Sequence, residues 1–223
     1  MANRSYGQYC GLALALDRIG DRWTLLIVRE LLPGPARFGE LHQALPGIAT
    51  NLLSRRLRDL EEAGLLERTT LPAPANVPVY ELTALGRGLG PAVREISLWG
   101  VRFMEDAEFR RPANPRSMIM GMSVLASTLP LEGLDSTLHL LVDGYDISIV
   151  IDGEKAAFSL GAPTEPDALI ETDYEPLVAV VNGRATPDEL IADGQIVIGG
   201  DADAVVSFFE LFRRARESMT VSA

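Results

Sequence analysis

The stretch PGIATNLLSRRLRDLEEAGLLER, residues 46–68, is the part of the chain from which the fold can be worked out. After its first turn it contains no Gly or Pro until Gly64, and its apolar residues recur at helical spacing. Three leucines with i, i+4, i+7 spacing form one stripe that must face a core, namely Leu53, Leu57 and Leu60. We therefore predict a helix over residues 49–63 that ends at Gly64, because glycine readily adopts the left-handed conformation after a helix.

The polar face of this predicted helix carries residue types that read DNA. At about 100° per residue, the side opposite the leucines presents Thr50, Asn51, Ser54, Arg55 and Arg58. Arginine bonds guanine bidentately, asparagine bonds adenine, and hydroxyl groups reach bases or phosphates. A solvated surface helix shows a similar pattern, since charged residues commonly line exposed faces. The helix alone thus leaves both interpretations open.

Charge is distributed unevenly along the 223 residues, whose formal net charge is −11. Residues 1–116 contain 15 Arg against 13 Asp and Glu, a net charge of +2. Residues 117–223 contain 5 Lys and Arg against 18 Asp and Glu, a net charge of −13. The acidic half would repel phosphate, so we expect any contact with nucleic acid to come from the first half.

Composition places the chain among ordinary globular proteins, with 47% hydrophobic and 23% charged residues. No apolar run approaches the roughly 20 residues of a membrane span, and the start, MANRSYGQYCG, lacks the pattern of a signal peptide. The single cysteine, Cys10, rules out an internal disulfide. We therefore expect a cytoplasmic protein without membrane contact.

The flanking elements favour a DNA-binding helix. Helices are predicted over residues 9–19, 25–32 and 38–45, and Pro46-Gly47 then turns the chain into the helix of residues 49–63. This is the order of a helix-turn-helix. Strands over residues 65–70 and 79–82 enclose a proline-rich loop, as in the wing of a winged helix. Thr83 is predicted to cap a long amphipathic helix over residues 84–106, suited to pairing with a second subunit.

Three segments of this half resemble the HxlR family of bacterial winged-helix regulators: ALDRIGDRWTLLIVRELLPGPARFGEL, LPGIATNLLSRRLRDLEEAGLLER and VYELTALGRGLGPAVREISLWG. The resemblance covers about residues 9–101. It implies a homodimer on a near-palindromic operator, with terminal helices at the dimer interface. Positions that match the family's DNA-facing residues are Arg37, Thr50, Asn51, Ser54, Arg55, Arg58 and Arg68. One departure is Ala49, where a capping Ser or Thr is usual, so Thr50 is a candidate cap instead.

Cys10 lies where many such regulators carry an N-terminal cysteine, and some relatives use that thiol to sense oxidants or electrophiles. The resemblance makes Cys10 a candidate redox thiol. The alternative is a buried small hydrophobe, which is how free cysteine usually behaves. No basic residue directly adjoins it in sequence to lower its pKa.

The second half has the composition of an α+β domain. We predict strands over residues 118–125, 137–142, 145–151, 156–160, 168–172 and 195–198, and helices over residues 174–181, 187–192 and 201–216. Thr186 and Asp201 are predicted helix caps. The expected fold class is therefore α+β: a winged helix-turn-helix domain over residues 1–108, a linker over 109–116, and an antiparallel sheet packed with helices over 117–223.

Residues 118–216 resemble the sterol-carrier-protein type of lipid-binding domain, most clearly in DYEPLVAVVNG and IVIGGDADAVVSFFELF. In relatives the sheet and helices enclose an apolar tunnel. The resemblance implies an apolar small-molecule effector, with candidate lining residues Leu177, Val181, Ile191, Phe208, Phe209 and Phe212. The alternative is that these residues simply pack the core of the domain.

Motifs for other chemistry are missing from the sequence. His42 and His139 lie in different halves, and no His/Cys/Asp group has metal-ligand spacing. We therefore predict no metal, no cofactor and no enzymatic activity. The predicted function is a homodimeric transcriptional regulator that binds double-stranded DNA and responds to an apolar small molecule. The alternative function is a carrier of lipid or another apolar small molecule whose winged helix serves protein–protein contact.

Overall fold

A computed structural model describes residues 5–101, 103, 114–129, 131–132, 134–181 and 183–220. The chain divides into two compact units, Met1–Val93 and Arg94–Ala223. No helix among the described residues is both long and apolar enough to span a membrane.

The first unit is a winged helix-turn-helix. Its elements, together with the helix in which the first unit ends, are α1 (Gly11–Ile19), α2 (Thr24–Leu31), α3 (Phe38–Ala44), α4 (Thr50–Glu62), β1 (Leu66–Thr70), β2 (Pro78–Leu82), α5 (Ala84–Arg87) and α6 (Gly90–Val101). The predicted leucine stripe of α4 is buried, at Leu53, Leu57 and Leu60. The strands β1 and β2 form the predicted antiparallel hairpin directly after α4.

The long helix predicted after the hairpin is divided in two. Thr83 caps α5 as predicted, because its side chain accepts a hydrogen bond from the backbone N–H of Gly86. The helix α5 ends at Arg87 with Gly88 as its C-terminal cap, and α6 begins at Gly90. Glycine is a poor helix former, so the cluster of glycines favours a break at this point. Residues 102 and 104–106 of the predicted helix lie outside the described residues.

The second unit contains a five-stranded mixed sheet packed with helices. Its elements, beyond α6, are α7 (Pro115–Ala126), β3 (Asp135–Val142), β4 (Tyr145–Asp152), β5 (Ala156–Leu160), β6 (Ala168–Thr172), α8 (Tyr174–Val181), α9 (Pro187–Ala192), β7 (Ile196–Gly200) and α10 (Ala202–Thr220). The strand order is β5-β4-β3-β6-β7. All pairings are antiparallel, as expected, except β3 with β6, which is parallel. The predicted α+β class is confirmed.

One face of this sheet carries the core. Alternate residues of β3 are fully buried, at Leu138, Leu140 and Val142, and pair with the apolar side of β4. They join one hydrophobic cluster with α7, α8, α9 and α10. The predicted caps also form: Thr186 accepts from Glu189 N, and Asp201 Oδ1 accepts from Asp203 N and Ala204 N.

The strand predicted over residues 118–125 is wrong, because this segment is part of helix α7. A short apolar run such as MIMGMSVL suits a buried strand or a buried helix equally well. The deciding signal lies just before it: Asn114 caps the helix by accepting from Arg116 N, and Pro115 occupies the first turn, where its missing N–H costs nothing. The predicted linker, residues 109–116, lies largely outside the described residues, and its last two residues begin α7.

Candidate nucleic-acid interface

Helix α4 presents the predicted DNA-facing residues on its outer side. Thr50, Asn51 and Arg58 are exposed, and Ser54 and Arg55 are half-buried. The helix begins at Thr50, and the residue that precedes it, Ala49, makes no side-chain capping bond. Thr50 is therefore the first helical residue and not the cap. At the other end Gly64 adopts a φ of +69°, which confirms the predicted stop.

Two hydroxyl groups on this side of α4 are already engaged within the protein. The hydroxyl of Ser54 donates to the backbone carbonyl of Thr50 at 2.9 Å. Thr50 Oγ1 lies 3.3 Å from Nε2 of His42, an exposed residue of α3 whose ring stacks on Phe38. The fold thus brings His42 to the start of α4. Sequence reasoning missed this contact, because the turn between α3 and α4 determines which side of α3 faces Thr50.

The three arginines of α4 have different environments. Arg56 makes two ion pairs within the unit, with Asp21 at 3.3 Å and with Asp59 at 2.9 Å. Arg55 and Arg58 form no ion pair with any described residue. Arg56 is therefore engaged in ion pairs within the unit, whereas the guanidiniums of Arg55 and Arg58 are available to an external anion.

Arg37 and Arg68 lie in one region because a backbone bridge joins the segment before α3 to β2. The sequence did not indicate this bridge. Ala36 pairs with Tyr80 of β2, with N–H···O distances of 3.0 and 2.8 Å, and Tyr80 in turn pairs with Arg68 of β1. Neighbouring strands lie about 4.8 Å apart, so the backbones at Ala36 and Arg68 are separated by roughly two strand spacings. Arg37 follows directly and is exposed, as is Arg68.

The hairpin is anchored to the end of α4. Thr83 donates its hydroxyl proton to the carbonyl of Gly64 at 2.6 Å, and its backbone N–H bonds the carbonyl of Leu65. Gly86 approaches the same segment so closely that a Cβ would lie 1.9 Å from the carbonyl oxygen of Leu65. Between Arg68 and Arg87 the sequence contains no basic residue. Arg68 is therefore the hairpin's sole candidate for ionic contact with phosphate.

Cys10 is exposed and immediately precedes helix α1. The backbone N–H groups of Ala13 and, to a smaller extent, Leu12 face the sulfur and lower the pKa of the thiol. The alternative of a buried small hydrophobe is therefore wrong. The helix predicted over residues 9–19 would contain Cys10, whereas α1 begins at Gly11, so the thiol meets the unpaired N–H groups of the first turn.

Two helices, α1 and α6, each expose more than one large apolar side chain. On α1, Leu12 is 68% exposed and Leu16 is 38% exposed. On α6, Ile96 and Trp99 are exposed, and the Trp99 ring meets Phe103 edge to face at a centroid distance of 4.9 Å. Exposed apolar surface of this kind is typical of interaction sites.

The six candidate ligand-lining residues lie together in the hydrophobic cluster of the second unit. Leu177, Phe208, Phe209 and Phe212 are buried, and Val181 and Ile191 are partly buried against them. The Phe208 and Phe212 rings are 4.7 Å apart, and Phe158 of β5 packs edge to face on Phe212 at 6.4 Å. The fold brings these six residues into one region, and their role toward a ligand stays a prediction.

Comparison with known proteins separates the two halves in the same way. Residues 18–108 match the HxlR-like helix-turn-helix family, and residues 129–213 match the SCP-2 sterol transfer family. The chain is 38% identical over 91 residues to the uncharacterized HTH-type transcriptional regulator YvaP of Bacillus subtilis (strain 168). The aligned region covers 41% of this chain and 84% of YvaP. The chain is 34% identical over 94 residues to the HTH-type transcriptional regulator YodB of the same strain, with coverage of 42% and 84%.

Among solved structures, the redox regulator HypR in its reduced form is 30% identical, covers 42% of this chain and 92% of its own, and superposes with a TM-score of 0.39. The relatives of known class are HTH-type transcriptional regulators, and they match the first half of the chain. The chain therefore belongs to the HxlR-like helix-turn-helix family of transcriptional regulators and carries, in its second half, a domain similar to the SCP-2 sterol transfer family.

Proposed function

We propose that this protein is a transcriptional regulator that binds a near-palindromic operator as a homodimer and responds to an apolar small molecule. The observation that carries the proposal is the outer face of α4, where Arg55 and Arg58 have no ionic partner among the described residues while Asn51 and Thr50 are exposed beside them. Bidentate arginine and asparagine contacts supply base discrimination of about 1–3 kcal/mol each. Arg37 and Arg68 would add phosphate contacts that orient the domain.

The homodimer is proposed from the apolar side chains that α1 and α6 leave exposed. The most exposed of them are Leu12 on α1 and Trp99 on α6. Burying them against a second copy would remove apolar surface from water, which is the main driving force of association. A two-fold dimer would present two copies of α4 to successive major grooves, about 34 Å apart along the DNA. Such a dimer requires an operator with matching half-sites.

In the proposed domain organisation, residues 1–108 bind DNA and form the dimer, residues 109–116 are a linker, and residues 117–223 bind the effector. The match to the SCP-2 sterol transfer family supports an apolar effector. Because Phe208, Phe209 and Phe212 are already packed, an effector would enter more easily beside the partly buried Val181 and Ile191. The effector would change DNA affinity only if it bound the two states of the protein unequally.

Fluorescence anisotropy of the full chain against the DNA upstream of its own gene, beside a scrambled duplex, tests the DNA-binding part. We expect tight binding to one duplex and a steep fall in affinity as salt rises, because each neutralised phosphate releases counterions. The double variant Arg55→Ala, Arg58→Ala should lose at least about 30-fold in affinity for the operator, from two base contacts of about 1–3 kcal/mol each.

The matched control is Lys155→Ala with Arg184→Ala, which removes two positive charges from the second unit and should leave operator affinity unchanged. If the α4 double variant binds as the wild type does, α4 is not the recognition helix. Weak and equal binding of the wild type to operator fragments and scrambled DNA would favour the alternative carrier. Extraction and mass spectrometry of apolar molecules from the purified protein then tests the effector part directly.

A further inference from the structure

We propose that Asp21 is a positioning residue for DNA recognition, acting through Arg56 to fix the orientation of helix α4. This inference rests on the proposed function of α4 and adds a residue to it that never needs to touch DNA. It concerns two side chains that the sequence analysis did not select, one in the turn before α2 and one on the recognition helix itself.

The carboxylate of Asp21 connects two elements of the first unit. Its Oδ1 accepts a hydrogen bond from the backbone N–H of Trp23 at 2.9 Å, and its Oδ2 accepts from the hydroxyl of Thr24. These bonds hold the turn that enters α2, and Thr24 is itself buried. The same Oδ1 lies 3.3 Å from Nε of Arg56. The entrance of α2 is thus linked to the middle of α4 through one carboxylate.

The environment of this pair strengthens the attraction between the two charges. The side chains of Asp21 and Arg56 are 26% and 24% exposed, so solvent screens the pair less than it would a surface pair. The Nε–H group of Arg56 is buried and forms no hydrogen bond with the described residues. Its contact with Asp21 is therefore ionic, and the negative charge of Asp21 is what compensates the buried part of the guanidinium. Asp59 holds the other end, with its Oδ2 2.9 Å from Nη1.

The leucine stripe alone does not fix α4 against rotation about its own axis. Apolar burial is roughly proportional to area and is not directional, so Leu53, Leu57 and Leu60 tolerate small changes of angle. Hydrogen bonds to bases require donor–acceptor distances near 2.7–3.2 Å and favourable angles. An ion pair to a fixed carboxylate of a separate element restrains one point on the side of α4. This tether opposes rotation of the helix and so holds Arg55 and Arg58, on either side of Arg56, at a defined angle.

The sign of the expected effect separates positioning from general electrostatics. Asp21 is an anion in a DNA-binding unit, so its removal should by charge alone strengthen binding to any duplex. A positioning role predicts the opposite for the operator, because misoriented arginines lose base contacts. It predicts little change for scrambled DNA, whose binding depends on phosphates and charge rather than on base contacts.

The experiment uses the full chain with Asp21→Asn, which removes the charge but retains an oxygen that can accept from Trp23 N. The matched control is Glu62→Gln, which removes one negative charge from an exposed residue of α4 that has no ion pair among the described residues. Anisotropy is measured on operator and scrambled duplexes, and thermal unfolding confirms that each variant is folded at the assay temperature. We expect Asp21→Asn to weaken operator binding about 5- to 10-fold with scrambled binding unchanged or tighter, and Glu62→Gln to weaken neither.

Arg56→Gln provides a second, independent route to the same answer. In that background the ion pair is already absent, so Asp21→Asn should cause no further loss of operator discrimination. If Asp21→Asn behaves as Glu62→Gln does, or weakens both duplexes equally, the positioning role is wrong while the proposed function stands. If the wild type itself does not discriminate the operator from scrambled DNA, the proposed function fails and this inference fails with it.

Discussion

Helix α1 and the core of the second unit use apolar side chains in opposite ways. In the second unit Phe208, Phe209 and Phe212 are at most 2% exposed and belong to one continuous cluster with the sheet. On α1 the corresponding large residues, Leu12 and Leu16, are exposed to solvent. Helices α1 and α10 both show apolar residues at helical spacing. Periodicity alone therefore does not distinguish a helix whose apolar side packs within its own chain from one whose apolar side is exposed.

We therefore expect the two regions to depend on different contacts. The second unit buries its apolar residues by itself, so its stability is expected to depend on internal packing. The helix α1 buries little beyond Ala13, so its leucines are expected to matter for association and little for the fold of one subunit. Three measurements test this contrast.

The largest effect is expected for Phe208→Ala in the core of the second unit. Removing a fully buried phenylalanine should lower the free energy of unfolding by about 3–5 kcal/mol, because packing against Phe209 and Phe212 is lost and a cavity remains. Thermal or urea unfolding measures the change. The control is Val206→Ala on the same helix, where the side chain is 43% exposed and the change should stay within about 0.5 kcal/mol. Equal effects of the two substitutions would contradict the packed core.

A smaller effect, on association, is expected for Leu12→Ser combined with Leu16→Ser. Each buried leucine contributes roughly 1.5–3 kcal/mol, so the dissociation constant of the proposed dimer should rise at least about 100-fold. Sedimentation at several concentrations measures the dissociation constant. The free energy of unfolding of the isolated subunit should remain nearly unaltered. Arg18→Gln, a polar exchange on the same exposed helix, serves as the control and should leave assembly intact. A dimer unchanged by the leucine substitutions would show that α1 lies outside the interface.

The smallest effect is expected at Cys10, at the start of the same helix. Because the N–H groups of Ala13 and Leu12 lower the pKa of the thiol, alkylation by iodoacetamide should reach half its maximal rate at a lower pH in the folded chain than in urea. Cys10 is the single thiol, so the signal is unambiguous. Identical pH profiles in the folded and unfolded chain would show that α1 does not stabilise the thiolate.

Several parts of the fold were predictable because their signals are local. The stripe of Leu53, Leu57 and Leu60 together with Gly64 defined α4, and the turn signals between residues 142 and 156 separated β3, β4 and β5. Thr83, Thr186 and Asp201 cap helices as predicted. The strand predicted over residues 118–125 is wrong because a short apolar run lacks a decisive period, and the helix start signal at Asn114 and Pro115 lies in the segment predicted as a linker.

The sequence alone predicts most of the helices and strands, the winged helix class and the set of polar residues on the outer side of α4, since periodicity and caps act within a few residues of chain. Only the folded chain determines which of the three arginines of α4 is held within the unit, because Arg56 pairs with Asp21, 35 positions earlier in the chain. It also decided the parallel pairing of β3 with β6 and the bridge from Ala36 to Tyr80. These features depend on which distant segments meet, and that is settled only when the whole core forms.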